Sequence, residues 1–162
     1  DNGAFFPDND ERAIFFARGA LETVKKLRWA PDIIHCQGWI SHLVPVYLKK
    51  AYKDDPIFAS SKIVLSLYDD TPEVDFSQDF AQKACFGPVV REDVSLLEKA
   101  TGINLARTAV QYSDGIILGS GNIKEDIVSY AGQLGLPILP YDGEALENGA
   151  YVDDYCAFYD KI

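Results

Sequence analysis

Apolar positions in the first thirty residues fall three and four apart. Ala13, Phe16, Ala17, Ala20, Val24 and Leu27 form this stripe, Ile14 and Leu21 widen it, and the spacing predicts a helix packed on a core. Asp8, Asn9 and Asp10 offer cap oxygens and negative charge at its start. Pro31 ends it, because the residue before a proline is pushed out of the helical region. The pattern then changes to short unbroken apolar runs. Asp32-Ile33-Ile34-His35-Cys36 has the unalternating centre expected of a central parallel strand covered on both faces. Gln37 and Gly38 turn the chain. A second helix is predicted from Trp39 or Ile40 through Leu43, Val46, Tyr47 and Leu48 to the basic Lys49 and Lys50, with Pro45 either kinking it or lying near its first turn.

Residues 62–68 form a second buried run, and the polar stretch 69–79 after it has the composition of a long loop at a strand's carboxyl end. Helical spacing returns at 92–100 and 104–112, followed by a third strand at Gly115–Leu118 and a helix over 122–131. Helices alternating with buried strands predict an α/β fold, a Rossmann-like doubly wound parallel sheet. Three parts are expected: a lobe over 1–131, a linker over 132–150 with one short strand at Ile138 and Leu139, and a closing amphipathic helix over 151–162. In that last helix Tyr151, Tyr155, Phe158 and Ile162 share one face.

Composition narrows the partners. The chain of 162 residues is long enough for one sizeable core, and its net charge of -10 repels polyphosphates, so no nucleic acid and no anionic membrane is expected as partner. Neutral ligands such as glycans fit this charge. The basic cluster Lys25, Lys26 and Arg28 reads as an ordinary helix end. No apolar run approaches the roughly 18 residues of a membrane span, so a soluble protein is expected. Cys36, Cys85 and Cys156 show neither metal-ligand nor disulfide spacing, which suggests reduced thiols and a cytoplasmic location. With no signal-like segment after Asp1 and no methionine, the chain reads as a fragment or a processed piece.

Ligands of open parallel sheets bind beyond the carboxyl ends of the strands, which directs attention to residues 37–40, 68–70 and 119–122. No dinucleotide fingerprint and no phosphate-cradling loop occurs. Gly119-Ser120-Gly121-Asn122 reads as a helix cap more readily than as an anion site.

A series of ordered segments carries a family resemblance: Asn9-Asp10-Glu11-Arg12, Phe15-Phe16, Lys26-Leu27-Arg28-Trp29, Pro31 to Cys36, Leu43 to Lys49, Ser61 to Val64, Asn104 to Asp114 and Ile116 to Ile127. Together they resemble bacterial glycogen and starch synthases from Asp8 to about Ala131. Those are two-lobed GT-B glucosyltransferases that extend an α-1,4-glucan from ADP-glucose. The resemblance implies that this chain is most of a partial GT-B N-terminal lobe, the acceptor side. It implies a nucleotide sugar and an α-glucan as substrates, with no cofactor besides, and no metal. The sheet is expected to be completed by a missing N-terminal segment or a second chain.

The departures from the family are local. Where the family reads His-Asp-Trp-His, this chain reads Gln37-Gly38-Trp39-Ile40, and neither Gln37 nor Ile40 can be protonated near neutral pH. Where the family has His-Asn, it has Tyr68-Asp69. Asn104, Arg107 and Asp114 stand where the family has Asn, Lys and Asp, and structural polar bonding is expected of them; His42 is given a surface or core role. The family's Lys-x-Gly-Gly motif and the Arg, Lys and Glu of its second lobe do not occur. The aromatic helix 151–162 suits the closing helix of a GT-B enzyme, so the second lobe is expected to be absent rather than cut away. Candidate substrate-binding residues are therefore Gln37, Gly38, Trp39, Ile40, Tyr68, Asp69 and Ser120, with no catalytic residue assigned. Two functions stay open: a glucosyltransferase domain inactive as this isolated chain, or a non-catalytic lobe binding glucan or protein.

Overall fold

A computed structural model describes residues 5–162. Four parallel strands, β1 (Ile33–Gln37), β2 (Lys62–Leu67), β3 (Gly115–Leu118) and β4 (Ile138–Leu139), lie side by side in sequence order. Among the described residues seven α-helices accompany them: α1 (Asn9–Lys26), α2 (Val44–Lys50), α3 (Phe80–Ala84), α4 (Gly102–Gln111), α5 (Glu125–Gln133), α6 (Gly143–Asn148) and α7 (Tyr151–Lys161). This is an α/β Rossmann-like lobe with a parallel sheet flanked by helices. In the described residues the strands advance in one direction only, without the reversal that would complete a double winding.

The two-residue period of a strand divides the sheet. Ile63, Leu65 and Leu67 of β2 join Ile116 of β3 in a continuous core with α1, α2, α4 and α5. Val64 and Ile117 point the other way, where Phe158 of α7 covers them. The approach of α7 is close: a Cβ on Gly115 would lie 3.0 Å from the Phe158 ring. Small residues likewise let α1 pack closely on α2 and α3, since Ala13 and Ala17 are fully buried beside Leu21.

Several expectations change. Phe16 and Leu27 are exposed, so the buried stripe of α1 is narrower than the sequence pattern. Asp8 accepts from Arg12 Nε at 2.9 Å instead of capping the helix, and Asp10 is buried, accepting from Ser77 Oγ and from Lys83 Nζ at 3.1 Å. Lys83 also meets Glu11 and Asp79, and these carboxylates hold its ammonium above its usual range. The helix expected from Trp39 is a 3-10 turn, Trp39–Ser41, followed by α2 with Pro45 in its first turn, where the missing N–H costs nothing. Arg91–Glu98 is 3-10 in character and broken at Val94, and α3 interrupts the region after the long loop. β1, expected in the middle of the sheet, is its edge among the described residues.

β4 and α6 occupy part of the expected linker, β4 pairing Ile138 with Ile116 and Leu139 with Ile117. Among the described residues no helix is long and apolar enough to cross a membrane.

Candidate functional site

Three loops meet at the carboxyl ends of β1, β2 and β3. The first begins at exposed Gln37 and turns at Gly38, whose φ of 75° lies where side chains are rarely tolerated. Its carbonyl accepts from Ser41 N at 3.0 Å and from Ser41 Oγ at 2.8 Å, winding Trp39–Ser41 into the 3-10 turn. The second loop fastens it: Asp70 Oδ2 accepts from Trp39 N at 2.9 Å. Sequence reasoning singled out Tyr68 and Asp69, yet Asp69 is exposed and its neighbour Asp70 makes this tie. The register explains why, since Gln37 lies opposite Ser66 and the two loops leave the sheet together.

Trp39 is half-buried and leans on two other aromatic rings. Its ring centroid lies 5.8 Å from Phe76 and 5.9 Å from Phe5, and Ile40 beside it is packed against the core. Tyr68 lies against the third loop, where a Cβ on Gly119 would sit 2.4 Å from its ring. Ser120 Oγ accepts from Asn122 N at 3.2 Å in a local turn; α5 begins only at Glu125, so Ser120 does not cap it. With Glu125 and Asp126 in its first turn, α5 presents carboxylates rather than an anion site.

Neither histidine reaches these loops. His42 is fully buried with both ring nitrogens unpartnered, and burial lowers its pKa from 6.5 to about 4, so it is a neutral core residue. His35 faces the other side of the sheet, its Nε2 2.6 Å from Ser66 Oγ and its Nδ1 2.7 Å from Tyr159 OH. In either tautomer one ring nitrogen donates and the other accepts, and both hydroxyls can answer. Burial lowers the His35 pKa, favouring the neutral ring, and the network joins β1, β2 and α7. Burial also pushes the Cys36 thiol up to about 12, which makes it a core residue and no nucleophile.

Asn104, Arg107 and Asp114 are structural. Asp114 Oδ2 accepts from Ile63 N at 2.8 Å and from Lys49 Nζ at 2.9 Å, Asn104 Nδ2 donates to the Lys99 carbonyl, and Arg107 Nε donates to that of Asp126.

The loop residues 37–40, 68–70 and 119–122 thus present an amide, a phenol, carboxylates and a hydroxyl, and contain no His, Lys or Arg. They can hydrogen-bond sugar hydroxyls. They supply neither an imidazole nor a cation for a diphosphate. Among the described residues no group of His, Cys, Asp and Glu is placed to hold a metal ion. A cavity of about 590 Å³ on the outer surface of α1, bordered by Phe15, Arg18 and Lys83, shares no residue with the loops.

The family model described as the starch synthase catalytic domain matches residues 1–139. The chain is similar to a glycogen synthase of Clostridium perfringens, 34% identical over 86% of this chain and 27% of that protein. It is similar to glycogen synthases of Chlorobium limicola, 32% identical over 78% of this chain and 25% of that protein, and of Aeromonas hydrophila, 27% identical over 100% of this chain and 34% of that protein. The chain therefore spans about a quarter to a third of the length of these relatives. No solved structure matches significantly.

Proposed function

Since this chain belongs to the starch and glycogen synthase family, we propose that it is the acceptor-side part of a glucosyltransferase domain acting on α-glucan and a nucleotide sugar such as ADP-glucose. In this reading Gln37, Tyr68, Asp69 and Ser120 contact sugar hydroxyls, while Gly38, Trp39 and Ile40 hold the first loop in place. Their position beyond the strand ends supports it. By themselves these loops transfer no glucose. The observation that carries this is the absence of His, Lys and Arg from residues 37–40, 68–70 and 119–122, with Lys124 at the end of the third loop paired to Glu73 of the second at 2.7 Å, His42 in the core and His35 bonded beneath α7. A transition state that releases a diphosphate needs fixed cations, and these residues offer none.

The same reading places further polypeptide, an additional segment or a second chain, along β1. That edge is unpaired among the described residues, and a groove of about 310 Å³ runs beside it between Phe16, Val24, Ile34 and Cys36. Phe16, 45% exposed, keeps this surface apolar.

The test is electrophoresis of residues 1–162 in a glycogen-containing gel, with glucose incorporation from labelled ADP-glucose measured on the same sample. Retardation without incorporation is expected. Unretarded migration would remove the glucan, and incorporation would remove the claim that the loops do not suffice. A non-catalytic binding lobe is the second reading, favoured by the replacement of ionisable residues by Gln37 and Ile40; it predicts the same retardation and no incorporation by the intact protein either.

A further inference from the structure

A separate cleft of about 280 Å³ opens between α6 and α7 at the carboxyl ends of β3 and β4. Leu118 and Leu139, the last residues of those strands, lie at its base. Tyr141, Tyr151 and Tyr155 form its walls, and Asp142 and Asp154 stand among them. The rings are held in place. Tyr151 and Tyr155 meet edge to face, their centroids 5.3 Å apart. Tyr141 runs between two glycines: a Cβ on Gly143 would lie 3.0 Å from its hydroxyl, and one on Gly121 3.4 Å from its ring. Gly121 belongs to the loop after β3, so the cleft adjoins the other carboxyl-end loops.

We propose that this cleft binds a neutral hexose ring. Tyrosine offers an apolar face to the C–H side of a sugar and a hydroxyl to its polar edge. Carboxylates accept from sugar hydroxyls; Asp142 Oδ1 is taken by Ala145 N at 3.0 Å, leaving Oδ2 and the Asp154 oxygens. No lysine or arginine lines the cleft, and two carboxylates repel a phosphate, so the ligand is uncharged. The volume, just below the roughly 300–1,000 Å³ typical of ligand pockets, suits one ring and not a nucleotide. Tyr141, Asp142, Tyr151, Asp154 and Tyr155 all lie beyond the residues matched by the family model, so the site adds to the matched domain. It does not depend on glucosyl transfer at the other loops.

The test is a chemical-shift titration of the intact protein with maltotriose, and with glucose 1-phosphate as the anionic comparison. Saturable shifts are expected at amides of residues 139–155 with maltotriose, and weaker ones with the phosphate. Tyr151→Phe, which keeps the ring and loses only the hydroxyl, weakens the affinity slightly, while Tyr151→Ala weakens it roughly tenfold. Asp154→Asn, at an exposed position that leaves folding intact, weakens it roughly threefold. Equal affinity for glucose 1-phosphate, unchanged affinity in Asp154→Asn, or shifts confined to the loops at Gln37 and Tyr68 would overturn the proposal. That last result would leave the glucan reading of those loops standing.

Discussion

The two faces of the sheet are held by different physics. On one, α1, α2, α4 and α5 interlock with Ile63, Leu65, Leu67 and Ile116 in a core that runs without a break from Ala13 to Ala131. On the other, α7 rests on Val64 and Ile117 through Phe158, and its tyrosines share a hydrogen-bond network with His35 and Ser66. The first face is cooperative, because each side chain touches several elements. The second depends on one aromatic anchor and a few polar contacts, so α7 is expected to open well below the free energy of global unfolding. The difference matters for function, since α7 forms one wall of the hexose cleft.

The largest effect should come from the cooperative face. Leu105→Ala, at a fully buried position of α4, is expected to cost about 3 kcal/mol, read as a fall in the urea midpoint with unchanged slope. A loss well under 1 kcal/mol would mean that this face is not the core. His42 on the same side works against stability. Its pKa is depressed in the folded state, so its neutral form is favoured: stability is full above pH 6.5 and is lost as the pH falls from 6.5 towards about 4. That shift corresponds to roughly 3 kcal/mol at 1.36 kcal/mol per unit. His42→Leu is expected to raise stability at neutral pH by about 2 kcal/mol, because two unpartnered buried nitrogens are removed, and to flatten this acid loss. Urea titrations at several pH values check both, and an unchanged pH dependence would place the acid sensitivity elsewhere.

On the second face Phe158→Ala should act locally. Amide exchange across α7 is expected to accelerate strongly while the global midpoint moves by less than about 1 kcal/mol; an equal fall of both would make the two faces one cooperative unit. Tyr159→Phe is the mildest change, costing about 1 kcal/mol of α7 docking through the lost bond to His35, again seen by hydrogen exchange. Because the His35 pKa is also lowered by burial, acidification below pH 6.5 should loosen α7 in the same direction.

Legibility in the sequence followed this division. β3 was read at its observed bounds and β2 within one residue, because an unbroken aliphatic run has few alternatives to a buried strand. The region 39–50 was misread as one helix, since apolar spacing does not distinguish a 3-10 turn from the start of an α-helix. β1 was read as central from its apolar centre, and the apolar surface beside it is consistent with that composition even though the edge is unpaired among the described residues. At the site, the carboxyl-end positions could be named from topology alone. Their partners could not: Asp70 bonds Trp39 across 31 residues and Tyr159 bonds His35 across 124, distances bridged only by strand register and by the docking of α7. The tyrosine face of α7 was visible as a stripe, but which ring would wall a cleft depended on α6, which the sequence pattern did not reveal.

Glucose transfer by residues 1–162 tests the central claim most directly. With labelled ADP-glucose and glycogen in a glycogen-containing gel, the loops as built predict a retarded band that carries no incorporated label. Label incorporated into glycogen by these residues alone would contradict the claim that Gln37, Tyr68, Asp69 and Ser120 position sugar without supplying the proton or the charge that transfer needs.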